Sequence, residues 1–235
     1  MKITVMSYCH DAHALWIPSW CEQIKKQTWK DFKILFITHN WQDEARAIAA
    51  RLVIQSNLGS DFDVKVVQYA SEPVIGAVID FGCAQVDTEF VAHWDLDDII
   101  HPERLRLQSE FLDAHSDIDF LGTRMLGFYG EPEAAMLELD YQDSEEPYAL
   151  VTEHQEIYKI LMNDVEERNC LGHTTMVYRP EAMDHIGGFS RSDVKLDSKS
   201  PDLETWKKAL MAGYKFHRLL QLCALWRLDS SSIRV

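Results

Sequence analysis

Residues 89–98 read EFVAHWDLDD: an apolar run from Phe90 to Trp94 that stops at three carboxylates, Asp95, Asp97 and Asp98. A short continuous apolar run bounded by polar residues is the pattern of a strand buried on both faces, as in a parallel sheet covered by helices. Working outward, Ile3 to Ser7, Lys33 to Thr38 (KILFIT) and Val64 to Tyr69 carry the same signal. Between them, Trp16, Trp20 and Ile24 at helical spacing, alanine-rich Glu44 to Leu52, and Ala77 to Val86 read as helices. Strands alternating with helices predict right-handed βαβ units, hence an α/β fold with a mostly parallel central sheet flanked by helices.

Downstream, Pro102 opens a helix over Glu103 to Asp113, and Asp119 to Met125 returns as a strand. Glu131 to Glu146 is crowded with carboxylates between Pro132 and Pro147 and reads as a solvated loop or partly helical insertion. Ala149 to Met162 reads as a helix, Thr174 to Tyr178 as a strand, Gly187-Gly188 as a turn and Leu203 to Met211 as a helix, followed by apolar runs at Tyr214 to Phe216 and Leu222 to Trp226. No repeat, low-complexity tract or linker divides the 235 residues, so a single domain over 1–235 is expected.

Thirty-eight acidic against 23 basic residues give a net charge of −15. That excess opposes a broad nucleic-acid or anionic-membrane interface, while leaving carboxylates available to a divalent cation. The five cysteines never form CxxC, which predicts free thiols in a reducing compartment rather than disulfides or a zinc knuckle. MKITVMSYCHD lacks the pattern of a signal peptide, and no apolar stretch approaches the roughly 18 residues of a membrane span. The expectation is a cytoplasmic protein without a transmembrane segment, able to associate as a homo-oligomer.

Ligands of open parallel sheets bind beyond the carboxyl ends of the strands. Those ends supply Ser7, Tyr8, Thr38, His39, Asn40, Asp95, Asp97 and Asp98. Neither GxGxxG nor GxxxxGKS/T is present, so a phosphate needs another holder; a divalent metal bridging carboxylates to a diphosphate would serve. Two readings of the acidic cluster stand: metal ligation by carboxylates two apart, or Asp98 as the cap of the helix near Pro102.

The run EFVAHWDLDDIIHPERLRLQSEFLDAHSDIDFLG (89–122) resembles the signature of GT-A family 2 glycosyltransferases, in which a strand ends in DxD or DxDD and is followed by proline, Arg-Leu, glutamine and a second strand ending near glycine. Pro102, Arg104-Leu105, Gln108 and Gly122 stand at those places. Gln27-Thr28 is similar to the family's SILxQT segment, and Gly76 begins the helix before the DxD strand. Asn169 to Arg179 resembles NPIxHxTVMFR, Ile186 to Phe189 the GGY turn, Pro201 to Trp206 the EDxxLW segment, and Trp226-Arg227 with Ser230 to Ser232 the closing YRxHxxSxS. The likeness runs in order over nearly the whole chain.

The resemblance implies a single Rossmann-like GT-A domain, with 1–125 binding the nucleotide sugar and 126–235 the acceptor. It implies inverting transfer from a nucleotide-diphosphate donor, a UDP-sugar in the first instance, to a hydroxyl of a glycan, lipid-linked or small-molecule acceptor. Asp95 and Asp97 would hold Mn2+ or Mg2+, Asp95 also lying against the ribose. Asp202 would be the general base, with Ser7, Tyr8, Asn40 and His173 lining the donor site. Asp202 as a simple helix cap is the plainer alternative, and Trp206 and Trp226 are expected in the core or pocket wall. Arg191, Lys195 and Lys199 read as a solvated loop or as a cationic lid.

Departures from the pattern fall mostly on base recognition. Cys9-His10 follows Tyr8, Thr38-His39-Asn40-Trp41 replaces the acidic segment after the second strand, Ile79-Asp80 stands for Arg-Asn in the third helix, and Pro201 for a glutamate. Asn40 and Thr38 are chemically able to read guanine or thymine instead of uracil. A non-catalytic nucleotide-sugar binding module is the alternative function, and an α/β nucleotide-binding protein of another family a third.

Overall fold

The computed structural model describes residues 2–41, 43–71, 74–128, 157, 161, 170–189 and 201–228. Its strands are β1 (Ile3–Cys9), β2 (Phe32–His39), β3 (Asp63–Tyr69), β4 (Phe90–His93), β5 (Ile99–Ile100), β6 (Phe120–Phe128), β7 (Val177–Tyr178) and β8 (Phe216–Arg227). The helices are α1 (Ile17–Lys26), α2 (Glu44–Leu58), α3 (Ile75–Cys83), α4 (Arg104–Ala114), α5 (Pro180–Ile186) and α6 (Pro201–Met211), with 3-10 turns at Asp11–Trp16 and His173–Thr175.

The strands form one sheet in the order β3-β2-β1-β4-β7-β6-β8-β5. β1, β2, β3 and β4 are mutually parallel where they pair. β7 is antiparallel to both β4 and β6, while β8 runs parallel to β6 and β5 antiparallel to β8. The carboxyl ends of β1, β2, β4, β6 and β8 therefore share one edge. Because β7 is reversed, the turn before it, His173–Thr175, lies on that same edge.

Alternation along the strands divides the interior into two layers. Ile3, Val5, Ile34, Phe36, Phe90 and Ala92 pack with Trp20, Ile54 and Leu105 of α1, α2 and α4. Met6, Leu35, Ile37, Val91 and Phe120 pack with Val78, Met183 and Trp206 of α3, α5 and α6. Helices on both faces are what make the strands read as unbroken apolar runs. Local signals set the ends: the Asp43 carboxylate accepts from Ala45 and Arg46 N–H at the start of α2. Pro180 opens α5, and Gly187 at φ 87° closes it in the left-handed conformation a side chain disfavours.

Several expectations are corrected. Residues 174–175 belong to the 3-10 turn, so β7 starts at Val177. The two late apolar runs are parts of one strand, β8, whose register with β6 shifts between Thr123 and Met125. α2 continues to Leu58, and α5 and the two-residue β5 were not foreseen. Trp206 is fully buried, but Trp226 is 43% exposed and so lies outside the core. All five cysteines are free and buried. No helix among the described residues is long and apolar enough to cross a membrane. The acidic insertion 131–146, residues 191–199, Asn169 and Ser230 to Ser232 lie outside the described residues, as does the 149–162 helix except Ile157 and Leu161, which are helical and buried.

Candidate active site

The shared edge is assembled around Asp95. β4 is held there on both sides, with Trp94 N–H donating to Met6 O at 3.1 Å and His93 N–H to Met176 O at 2.8 Å. The next N–H, that of Asp95, donates to Thr174 Oγ1 at 3.1 Å, which separates the chain from the sheet and turns it through Asp95–Asp98. Asp95 Oδ1 then accepts from the Tyr8 hydroxyl at 2.8 Å and lies 3.2 Å from His93 Nε2. Burial works to raise this carboxyl, but His93, the nearby His173 and Tyr8 together hold it well below the usual carboxylate range, so Asp95 is ionised. Asp97 and Asp98 move the other way: burial raises both, and the Asp95 charge raises them further.

Asp98 is 1% exposed, and its Oδ1 accepts from Arg227 N–H at 3.1 Å. The cap reading of Asp98 is thereby set aside, since Glu103 precedes α4 and Asp98 joins the end of β8 instead. Arg227 also donates from Nε to Asp97 O at 3.2 Å, with its guanidinium over the rings of Trp16 (4.2 Å) and Phe128 (4.7 Å). Gln23 of α1 donates to Asp98 O and accepts from Ile100 N–H. Gln27 does the same for His101 O and Leu105 N–H, which gives the Gln27-Thr28 match a structural meaning.

Beneath the turn lies Arg104, fully buried. It donates to His93 O at 2.8 Å and to Gln108 Oε1 at 2.9 Å, and Gln108 Nε2 reaches Leu121 O and Thr175 O. Two side chains one helical turn apart thus tie β4, β6 and the His173–Thr175 turn together. Burial lowers the Arg104 guanidinium to about 10, and it remains a cation behind Asp95 and Asp98.

Imidazoles line the same edge. The rings of His93 and His173 stack at 3.5 Å, Tyr8 lies 5.3 Å from His93 and 6.0 Å from His39, and His10 lies 5.8 Å from His39 and 4.1 Å from His13. Burial, then the neighbouring His93, lowers His173 to about 3 against the raising effect of Asp95. Burial, then His10 and His13, lowers His39 to about 4. Both are neutral at physiological pH. His173 Nε2 and both ring nitrogens of His39 are buried without a protein partner.

The structure brings Tyr8, Asp95 and His173 together. Ser7, one residue earlier, is fully enclosed with an unpartnered hydroxyl. Asn40, beyond the end of β2, is exposed at φ 50°. Asp202 is the second residue of α6 and half-buried; that helix is seated by Trp206, whose Nε1 donates to Leu171 O at 3.2 Å and whose ring lies 6.1 Å from His173. His93 was missed by sequence reasoning, its only signal being a polar residue inside an apolar strand. So was Asp80 of α3, whose Oδ1 accepts from Phe189 N–H at 2.8 Å and fixes the Gly187-Gly188 turn beside His173.

A divalent cation fits beside Asp95, within reach of one of the two stacked imidazoles. One ligand atom from each of His93, Asp95 and His173 lies within 4.8 Å of the other two. The buried, unpartnered His173 Nε2 and the mutual repulsion of Asp95 and Asp97 are both relieved by a positive ion.

A mostly parallel α/β sheet with a DxDD turn at its ligand edge defines the GT-A class of nucleotide-sugar folds. The profile described as "Glycosyl transferase family 2" matches residues 6–186, and the chain belongs to that family. Among solved structures, it resembles S. aureus TarS at 18% identity and a TM-score of 0.69, covering 97% of this chain and 37% of that one. S. aureus TarS 1-349 in complex with UDP-GlcNAc matches at 18% identity and 0.66, covering 100% and 62%. The mannosyltransferase PcManGT from Pyrobaculum calidifontis, in complex with GDP-Man and Mn2+, matches at 14% and 0.67, covering 98% and 58%. The chain thus spans from 37% to 62% of the lengths of these structures, and at such identities the likeness is one of fold. No curated protein sequence matches it.

Proposed function

We propose that this chain is a metal-dependent, inverting glycosyltransferase that moves a sugar from a nucleotide-diphosphate donor, UDP-linked in the first instance, to an acceptor hydroxyl. The observation that carries the reading is Asp95, kept ionised at the ligand edge by Tyr8 and His93, with Asp97 two residues on. Asp95 and Asp97 would hold Mn2+ or Mg2+, which when bound offsets the charge developing on the departing diphosphate.

Asp202, at the start of α6, is assigned as general base. It accepts the proton of the acceptor hydroxyl as the oxygen attacks the anomeric carbon from the side opposite the diphosphate. One displacement inverts the configuration and needs no protein nucleophile. Ser7, Tyr8, Asn40 and His173 line the donor side within 1–125 and the turn before β7, and the acceptor falls to 126–235. The acceptor is a glycan, a lipid-linked sugar or a small molecule, used in the cytoplasm.

Thermal shift with nucleoside diphosphates and their sugars, each with Mn2+ or chelator, tests the binding half. Stabilisation is expected only with metal and only while Asp97 is intact; a shift that survives Asp97→Ala removes that ligand. Asp202→Asn is expected to keep donor binding and to lower transfer by roughly 10²–10⁴-fold. Donor binding without transfer or donor hydrolysis in the wild type would identify a binding module instead.

A further inference from the structure

The two histidines beside Asp95 are not equivalent. Their rings are stacked, 3.5 Å apart with 26° between the planes. An imidazole presents its lone pair in its own plane, so two nearly parallel rings cannot both aim at one ion. His93 is fully buried and faces Asp95 Oδ1 with Nε2, the arrangement by which a neighbouring side chain orients a ligating carboxylate. His173 is half-buried, and its Nε2 has no partner in the protein although the atom is shielded from solvent. A polar atom left so costs about 1–3 kcal/mol unless something pairs with it.

Resting on the reading above, we infer that His173 supplies a nitrogen ligand to the cation held by Asp95 and Asp97, with His93 acting as a positioning residue for Asp95. Mixed nitrogen and oxygen donors suit Mn2+ and later transition ions, whereas Mg2+ demands an octahedron of oxygens. The site therefore favours transition-metal ions over Mg2+.

Pulsed electron paramagnetic resonance on the untagged protein loaded with Mn2+, with and without UDP, reads the ligand directly. A directly bound ¹⁴N is expected, replaced by ¹⁵N in protein labelled at histidine, a comparison that needs no variant. The nitrogen signal is expected to vanish in His173→Gln and to persist in His93→Phe, which instead weakens Mn2+ by about tenfold through the loosened Asp95. In competition, Mg2+ is expected to displace Mn2+ more readily from His173→Gln than from the wild type. Mn2+ bound in an Asp97-dependent way without a coordinated nitrogen overturns the inference and leaves the proposed function standing, as does a nitrogen signal that survives His173→Gln. No Mn2+ binding, even with UDP, overturns both.

Discussion

The Tyr8 hydroxyl donates to Asp95 Oδ1 at 2.8 Å across 87 residues of sequence, so the end of the first strand holds the carboxylate that follows the fourth. Tyr8→Phe removes that donor and leaves the ring between His93 and His39. A hydrogen bond to a charged group is worth about 1.5–3 kcal/mol. Mn2+ affinity, measured by isothermal titration, is expected to fall by roughly tenfold or more with little change in melting temperature. An unchanged affinity would show that His93 alone suffices to hold Asp95.

Arg104 gives a contrasting expectation. Its guanidinium is the buried cation behind Asp95 and Asp98, and it satisfies the His93 carbonyl. Replacing it with Met leaves the buried His93 carbonyl and Gln108 Oε1 without their donor, so urea denaturation should show a loss of about 1–3 kcal/mol. A loss below 1 kcal/mol would mean that the Gln108 bonds hold the strands unaided.

His39 sets an acid limit. Its folded value of about 4 lies below the ordinary 6.5, so the native state binds fewer protons than the unfolded one. The stability it contributes is present above pH 6.5 and is lost as pH falls toward 4. Between pH 7 and pH 5 its share is about 2 kcal/mol. His39→Leu should flatten the stability profile over that range in urea denaturation; an unaltered slope would place the acid sensitivity elsewhere.

Gly188 adopts φ 72°, and a Cβ there would lie 2.3 Å from Asp80 Oδ1. Gly188→Ala combines backbone strain with the loss of the Asp80 to Phe189 bond, an expected cost of about 2–3 kcal/mol in chemical denaturation. Asp80→Ala loses the bond without the backbone strain and should cost less. If the order is reversed, Asp80 serves mainly contacts other than this turn.

The reach of the sequence follows from how local each signal is. β4 and its acidic end were legible because burial on both faces and the sheet's ligand edge both leave continuous marks in the chain. β5 was not, because Ile99 and Ile100 are strand only by pairing with Leu225 and Ala224. β8 appeared as two runs because His217, Arg218 and Gln221 interrupt the apolar residues near where its register with β6 shifts. At the site, Asp95 and Asp97 announce themselves as carboxylates on a strand end. Roles made across the fold do not: His93 is one letter in an apolar strand, Asp98 answers an N–H 129 residues away, and Asp80 acts on a turn 109 residues distant.

The reversed strand β7 also constrains the order of assembly. β1 to β4 can pair among themselves as the chain is synthesised, but the far edge of β4 stays open until residues 177–178 arrive between it and β6. During synthesis the nascent half-sheet therefore presents an unpaired apolar edge, the kind of surface that recruits other chains. The insertion that ends this exposure also delivers His173 and Thr174 beside Asp95. Closing the gap between β4 and β6 and placing His173 and Thr174 beside Asp95 are one event, while Asp202 and the Arg227 contacts to Asp97 and Asp98 follow with α6 and β8.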